Sequence, residues 1–215
     1  MFTRPVVIAL VAALLAGLGL MAGKMVFDRS ASSPWPATRV VELHAPRAIP
    51  AFNLAQSDGT RLVPGELHGH WTLVYLGFTA CPDVCPTTLA QLAQAQKRWQ
   101  ALPDSTRPRV LFVSVDPERD SPAKAGEYAR AFHRDSLAAS GDLPALENFA
   151  GALHLVFGKV PGKHFDENPN DYAVDHSASI AVLDPEGRLA GLIRPPFDPA
   201  AIADDMTLLT KAPIP

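Results

Sequence analysis

Between Trp71 and Pro86 the chain reads WTLVYLGFTACPDVCP, an apolar run followed directly by two cysteines and a helix start. Residues 71–78 are continuously apolar, as expected for a central strand that is buried on both faces of a sheet. From Pro86 onward, leucine and tryptophan residues recur at near-helical spacing, which predicts a helix. Cys81 and Cys85 therefore lie in the loop between a buried strand and its helix.

Strands and helices alternate on both sides of this segment. A second buried strand is predicted over 109–115, and a helix is predicted to start at Ser121, a favourable N-cap residue that is followed by proline. The other predicted elements are hairpins over 52–63 and 179–193 and helices over 145–157 and 199–211. This order predicts an α/β fold with a central mixed sheet flanked by helices on both faces, which resembles the thioredoxin-like superfold.

The composition is that of a folded protein, and it excludes some classes of function. Of the 215 residues, 47% are hydrophobic, which is enough for a sizeable core and argues against disorder throughout. The formal net charge of −3 argues against a nucleic-acid-binding protein built on a basic surface. Two cysteines are too few for a disulfide scaffold, so they are either incidental or the centre of the chemistry.

The N-terminal region predicts a membrane anchor and a spacer. Residues 5–23 carry no charged side chain and approach the length of about 20 residues that a helix needs to cross a bilayer. We expect residues 1–4 to form a cytoplasmic tail, residues 24–48 a linker, and residues 49–215 a globular domain outside the cytoplasm. A cleavable signal ending at Gly19 is the alternative to an uncleaved anchor.

The cysteine pair allows three interpretations. A permanent disulfide is the first, although a loop this short removes little entropy from the unfolded chain. A thiol–disulfide oxidoreductase is the second, although the spacing is Cys-x-x-x-Cys and the strand at 179–183 lacks the preceding proline of thioredoxin-type enzymes. A metal site is the third and the favoured one, because helical i,i+4 spacing would bring the two side chains within about 5–6 Å. We also expect the helix N-terminus to stabilise a thiolate at Cys85.

A metal site needs a further ligand, and one of the seven histidines is suitably placed. His176 precedes the strand at 179–183, which in a thioredoxin-like sheet runs beside the cysteine-bearing strand. Two thiolates and one imidazole form a soft donor set that suits copper, because thiolates select Cu(I) and imidazole also tolerates Cu(II). Asp175 is a candidate to orient the imidazole. The histidines that receive no role are His44, His68, His70, His133, His154 and His164.

Three blocks of sequence resemble the signatures of one family. They are GFTACPDVCP at 77–86, VSVDPERDSP at 113–122 and DYAVDHS at 171–177, and the likeness extends in matching order over roughly 50–197. These blocks look like those of the Sco/SenC family, which are membrane-anchored, thioredoxin-like copper proteins that help to assemble the CuA centre of cytochrome c oxidase. The resemblance implies that Cys81, Cys85 and His176 are copper ligands.

Two acidic residues of the second block have no assigned chemistry. Asp116 and Asp120 follow the predicted strand at 109–115 and lie on the same rim of the sheet as the cysteines. They either form a helix-entry turn that favours the following helix N-terminus, or contribute to a surface that supports the ligands or docks a partner.

The resulting interpretation is a copper chaperone, with thiol–disulfide oxidoreductase activity left open, anchored by one span in the bacterial inner membrane with its domain in the periplasm. We expect it to hold one copper ion, as Cu(I), Cu(II) or both, and to deliver it to subunit II of cytochrome c oxidase or another cuproprotein. Other expected partners are a periplasmic copper carrier or a thioredoxin-like reductant, and oxidation to a Cys81–Cys85 disulfide would block binding. The alternatives are a reductase that keeps the cysteines of the recipient reduced and a peroxide-reducing thioredoxin relative.

Overall fold

The computed structural model describes residues 14–21 and 35–213, and the chain divides into two compact units, residues 1–34 and Trp35–Pro215. In the first unit, residues 14–21 are helical. No helix within the described ranges is long and apolar enough to cross a membrane. The predicted cytoplasmic tail and most of the predicted anchor lie outside the described residues, so both stay predictions.

The described residues of the second unit form ten strands and four α-helices. The strands are β1 (Val41–Arg47), β2 (Leu54–Gln56), β3 (Arg61–Leu62), β4 (Thr72–Gly77), β5 (Arg109–Ser114), β6 (Leu137–Ser140), β7 (Phe157–Pro161), β8 (Tyr172–His176), β9 (Ile180–Leu183) and β10 (Leu189–Ile193). The helices are α1 (Val84–Trp99), α2 (Pro122–Phe132), α3 (Leu143–Ala152) and α4 (Pro199–Leu209).

Eight of the strands form one mixed sheet in the order β1-β10-β9-β4-β5-β6-β2-β3, and β7 and β8 form a separate two-stranded sheet. β4, β5 and β6 run parallel to one another, whereas β9 runs antiparallel to β4. α2 packs on β5 and β6, and α1 packs on α4, where the Trp99 indole N–H donates to the Ala203 carbonyl oxygen at 3.2 Å. The predicted central mixed sheet is confirmed.

β4 lies at the centre of the core, as its apolar run predicts. Every residue of Thr72–Gly77 is buried. β5 pairs with one edge of β4 and β9 with the other, so only the two ends of the strand approach the protein surface. The carboxyl end of β4 therefore delivers the chain to the surface at the cysteine loop, the position where α/β sheets commonly bind ligands.

Three of the four described α-helices start with a capping side chain, the start of α1 does not, and one helix end does not follow the predicted pattern. At the start of α2, the Ser121 hydroxyl accepts a hydrogen bond from the Lys124 backbone N–H at 3.2 Å, which confirms the predicted N-cap. The helix predicted over 145–157 is shorter, because α3 ends at Ala152 and Phe157 already belongs to β7. Pairing with β8 engages the backbone groups of that segment, so the helix cannot continue through it.

The predicted linker over residues 24–48 extends too far into the folded unit. β1 lies within that range, pairs antiparallel with β10 and forms one edge of the large sheet. Trp35 is also buried and packs edge-on against Trp71, with 5.2 Å between the ring centroids. The folded unit therefore begins at Trp35 and not at residue 49.

A buried carboxylate fixes this first segment to the C-terminal helix. Asp205, in α4, is 3% exposed and accepts hydrogen bonds from the backbone N–H groups of Arg39, Val40 and Val41 at 2.7–3.1 Å. Arg39 and Val40 precede β1, and Val41 is its first residue, so these donors lie where the strand begins. The Asp205 side chain thus sets the point at which the chain enters the sheet.

We predict that Asp205→Ala lowers the free energy of unfolding by about 2–4 kcal/mol, because several backbone donors lose a charged acceptor in a buried place. The matched control is Asp204→Ala on the same helix, since Asp204 is half-exposed and pairs only with surface arginines. Its loss should cost less than about 1 kcal/mol. Urea unfolding of both variants, followed by circular dichroism, measures the difference, and equal losses would contradict the anchoring role of Asp205.

Candidate metal centre

The three predicted ligand residues come from three different segments and meet at the carboxyl end of β4. Cys81 lies half-buried in the loop after β4, Cys85 is fully buried in the first turn of α1, and His176 is the last residue of β8. The Cys85 Sγ lies 3.4 Å from the His176 Nε2. Both cysteines are free thiols. The structure thus brings Cys85 and His176 into contact, although they are 91 positions apart in the chain, and it places Cys81 beside the Cys85 backbone.

Small and aromatic residues of β4 and the following loop shape the space around Cys85 and His176. A Cβ atom added to Gly77 would lie 2.9 Å from the Cys85 Sγ and 2.8 Å from a ring carbon of Phe112, so a glycine is needed there. The rings of Tyr75 and Phe78 meet the His176 ring edge-on, with centroid distances of 5.8 and 6.1 Å. These contacts limit the orientations that the imidazole can adopt.

The His176 ring presents Nε2 to the cysteine and Nδ1 to the backbone. Nδ1 lies 3.1 Å from the Ser177 carbonyl oxygen, a contact that favours the tautomer with the proton on Nδ1. That tautomer leaves the Nε2 lone pair free toward Cys85. Asp175 is the predicted candidate for this orienting role, but it is exposed. The His176 Nδ1 contacts the Ser177 backbone carbonyl oxygen instead.

The two thiols have opposite electrostatic environments. Burial by itself raises the pKa of Cys81, but the backbone N–H groups of Cys85, Asp83 and Val84 point toward its sulfur and bring the pKa below its ordinary value. The hydrogen bond from the Cys85 N–H to the Cys81 Sγ is 3.4 Å long. For Cys85, burial dominates and raises the pKa to about 12.

The prediction that the helix N-terminus stabilises a thiolate at Cys85 is therefore wrong, and the effect falls on Cys81. The helix begins at Val84, so Cys85 is already inside the first turn and its side chain faces the core. The Asp83 side chain makes no capping hydrogen bond, and the sulfur of Cys81 accepts from the first turn in its place.

The Asp120 carboxylate holds the loop that carries Cys81. Asp120 is 1% exposed and accepts hydrogen bonds from the Thr79 backbone N–H at 2.7 Å, the Thr79 hydroxyl at 2.5 Å and the Ser114 hydroxyl at 2.7 Å. Lys124 adds an ion pair at 3.0 Å. Burial acts to raise the pKa of Asp120, but these donors outweigh it and lower the pKa. A carboxylate this buried cannot form part of a docking surface, so that interpretation of Asp120 is wrong.

Asp116 is buried as well, and it contacts the strand that carries His176. It is 2% exposed, accepts a hydrogen bond from the Tyr172 hydroxyl at 2.6 Å and forms an ion pair with Arg119. A docking role for Asp116 is likewise excluded by its burial. Tyr172, Arg119 and Thr79 were not predicted to take part in the site, because a tyrosine, an arginine or a threonine alone has no ligand chemistry that marks it.

Two of the remaining histidines make contacts away from the cysteines. The Arg47 guanidinium contacts the His154 ring at 2.6 Å, and the His70 ring contacts the Arg107 carbonyl oxygen at 2.9 Å.

Over residues 14–21 and 35–213, no group of three or more His, Cys, Asp and Glu side chains is already arranged around one metal position. Cys85 and His176 are at a separation suited to two ligands of one ion, about 3–4 Å for metal–ligand bonds of 2.0–2.3 Å. The Cys81 sulfur faces the helix N–H groups.

The opposite environments of the thiols predict unequal reactivity toward an alkylating agent. In the reduced chain near pH 7, iodoacetamide should modify Cys81 more than about tenfold faster than Cys85, because only the thiolate reacts and only Cys81 has a lowered pKa. The reaction of Cys81 should also reach its half-maximal rate at a lower pH than that of an ordinary cysteine. Peptide mass spectrometry of timed samples measures both rates.

The same chain unfolded in urea is the control, since both cysteines should then react at similar rates. Equal rates in the folded chain, or faster modification of Cys85, would contradict the assignment of the two environments.

Comparison with known families connects this geometry to a group of proteins. A family model described as SCO1/SenC matches residues 41–211. A protein of Stutzerimonas stutzeri described as "Putative copper-binding protein" is 34% identical over 160 residues, which is 74% of both chains. The mouse protein "SCO2 homolog, mitochondrial" is 33% identical over 136 residues, 63% of this chain and 52% of its own length, so the match spans about half of that relative.

Solved structures of similar proteins share the fold. Arabidopsis thaliana ScoI, crystallised with copper bound, matches with a TM-score of 0.68 and 29% identity over 77% of this chain and all of that chain. Apo Sco1 of Thermus thermophilus matches with a TM-score of 0.67 and 34% identity over 81% of this chain and 97% of its own. These matches confirm the thioredoxin-like α/β fold, and together with the family model they show that the chain belongs to the SCO1/SenC family.

Proposed function

We propose that this protein is a copper chaperone that holds one copper ion through Cys81, Cys85 and His176. The observation that carries the proposal is the 3.4 Å separation of the Cys85 Sγ and the His176 Nε2, beside a second free thiol on the same rim. The copper-bound structure of the Arabidopsis relative supports copper as the metal. The donor set supports it independently, because two thiolates and one imidazole suit Cu(I) and tolerate Cu(II).

The environments of the three side chains suggest an order of events during copper capture. Cys81 is the more exposed thiol and the one with the lowered pKa, so it loses its proton more readily than Cys85 and meets the incoming ion first. Its side chain then turns from the helix N–H groups toward Cys85 and His176. Cys85 loses its proton as the ion is bound, since a metal ligand must be deprotonated. The Nε2 of His176 needs no proton loss in the tautomer favoured by the Ser177 contact.

Delivery of the ion follows from the low number of ligands. Three protein ligands leave room for a thiolate or imidazole of a recipient, so the ion passes by ligand exchange without release into solution. The family resemblance supports the CuA site of cytochrome c oxidase subunit II, or another cuproprotein, as the recipient. The uncharged residues 5–23 support an anchor in the bacterial inner membrane with the domain in the periplasm.

A second function, reduction of a disulfide in the recipient, is favoured by the asymmetry of the thiols. An accessible cysteine with a lowered pKa beside a buried one is suited to attack a disulfide and then resolve the mixed intermediate. In that exchange, the two thiols of Cys81 and Cys85 become a disulfide, and the substrate disulfide takes up two electrons and two protons. The same dithiol cannot bind copper while it is oxidised.

The chaperone proposal predicts that His176→Ala and Cys85→Ser each weaken Cu(I) binding by about 100-fold or more. Loss of a residue that only supports a metal ligand already lowers metal affinity by about 10–100-fold, so loss of a ligand itself should cost at least as much. Competition with a Cu(I) chelator, using the reduced chain, measures affinity and stoichiometry, and the unchanged chain should bind one equivalent. His164→Ala is the matched control, because His164 is exposed in the loop before β8. Unchanged affinity in His176→Ala would refute the three-ligand site.

The same variants separate the two functions. His176→Ala should leave the rate of disulfide reduction within a few-fold of that of the unchanged chain, because His176 contributes no sulfur, whereas Cys81→Ser should abolish it. Turnover of a CuA-domain disulfide, measured with and without Cu(I), reports on this. Fast reduction together with weak copper binding would replace the chaperone by the reductase.

A further inference from the structure

The strand that carries His176 is not part of the main sheet. β8 pairs only with β7 among the described residues, in a two-stranded hairpin with His176 opposite Phe157 and Tyr172 opposite Pro161. No strand ladder therefore fixes the distance between His176 and the cysteine loop. That distance is set by the short connection of residues 177–179 to β9 and by side-chain contacts between the hairpin and the main sheet.

The densest of these contacts lie at the far end of β8, around Tyr172. Its hydroxyl donates to the Asp116 Oδ1 at 2.6 Å, and both side chains are buried. The Arg119 guanidinium carbon lies 3.8 Å from the centroid of the Tyr172 ring, and its Nη1 donates to the Tyr172 carbonyl oxygen at 3.0 Å. Arg119 also pairs with Asp116, so the ring, its hydroxyl and its backbone are all held by one loop after β5.

The other strand of the hairpin is tied to the same loop. The Lys159 Nζ, on β7, lies 4.0 Å from the centroid of the Tyr172 ring and bonds the Glu118 Oε1 at 2.6 Å. The Tyr172 ring therefore contacts two cations, Arg119 from the loop after β5 and Lys159 from β7. Arg119 further lies 5.7 Å from the ring of Phe78, which itself packs edge-on against His176. The contacts thus run from Tyr172 through Arg119 and Phe78 to the imidazole.

We infer that Asp116, Arg119 and Tyr172 form a latch that positions His176 against the cysteines. Tyr172 and His176 are four residues apart on one strand, so their side chains lie on the same face, about 13 Å apart along a stiff backbone. A hairpin fixed at Tyr172 keeps the imidazole near the Cys85 sulfur, and a released hairpin must be ordered again each time the ion is bound. The latch residues touch no metal and act only through His176. This inference rests on the proposed role of His176 as a ligand.

The latch predicts that Tyr172→Phe weakens Cu(I) binding about tenfold, because the aromatic ring remains while its bond to Asp116 is lost. The discriminating measurement is the same substitution in a His176→Ala background, where it should change affinity less than twofold. A residue that acts only on overall stability would weaken binding equally in both backgrounds. Chelator competition on the reduced chain measures all four proteins, and thermal unfolding checks that each is folded.

Three further measurements complete the test. Tyr128→Phe is the matched control, since the Tyr128 hydroxyl is buried without a hydrogen-bond partner among the described residues and its removal should leave affinity unchanged. Lys159→Met removes only the contacts of Lys159 with Glu118 and the Tyr172 ring, so it should weaken Cu(I) binding by a smaller factor. This variant keeps the test usable if Tyr172→Phe does not fold. In the Cu(II) form, the nitrogen hyperfine signal of the imidazole should weaken in Tyr172→Phe.

The outcomes separate the latch from the proposed function. If His176→Ala itself leaves affinity unchanged, the three-ligand site is refuted and the latch with it. If His176→Ala weakens binding but Tyr172→Phe does not, or weakens it equally in both backgrounds, only the latch is refuted.

Discussion

The buried carboxylate of Asp120 joins the segments on which the candidate site depends. It bonds Thr79 in the cysteine loop, Ser114 at the end of β5 and Lys124 in α2. Removal of this acceptor would leave several buried donors without a partner, which costs far more than the loss of a surface ion pair. The relative position of the cysteine loop and the loop that carries Asp116 and Arg119 therefore follows from one network of charge-assisted hydrogen bonds.

This arrangement explains why two cysteines so close in the chain differ in their chemistry. The cysteine loop ends where α1 begins, so the sulfur of Cys81 meets the unpaired N–H groups of the first turn, whereas Cys85 turns into the core beside Gly77. One thiol is thus prepared to react and the other is protected until a metal ion or a disulfide reaches it. The two proposed functions, copper binding and disulfide exchange, would both use this asymmetry, so they are compatible with one site.

The third donor is controlled separately from the first two. His176 lies on a hairpin that pairs with no strand of the main sheet in the described residues, so side chains around Tyr172 and the short connection to β9 position it, and no strand ladder does. The cysteine loop, by contrast, is held by the hydrogen bonds of Asp120. In the proposed function, the two thiols and the imidazole would thus be positioned by separate sets of contacts.

Residues 71–86 alone predict the buried strand, the following helix and the location of both cysteines, because a strand covered on both faces needs a continuous apolar run and a proline favours a helix start. The choice of His176 among seven histidines also follows from its place before a predicted strand. β1 and β6 escape prediction because they are paired with strands distant in the chain, and the β7–β8 hairpin escapes it because its first strand is mostly exposed and lacks an apolar run. Only the tertiary structure decided the order of the thiol pKa values, the burial of Asp116 and Asp120 and the contacts of Tyr172. Each of these depends on the direction in which a side chain points, and no residue pattern along the chain encodes that direction.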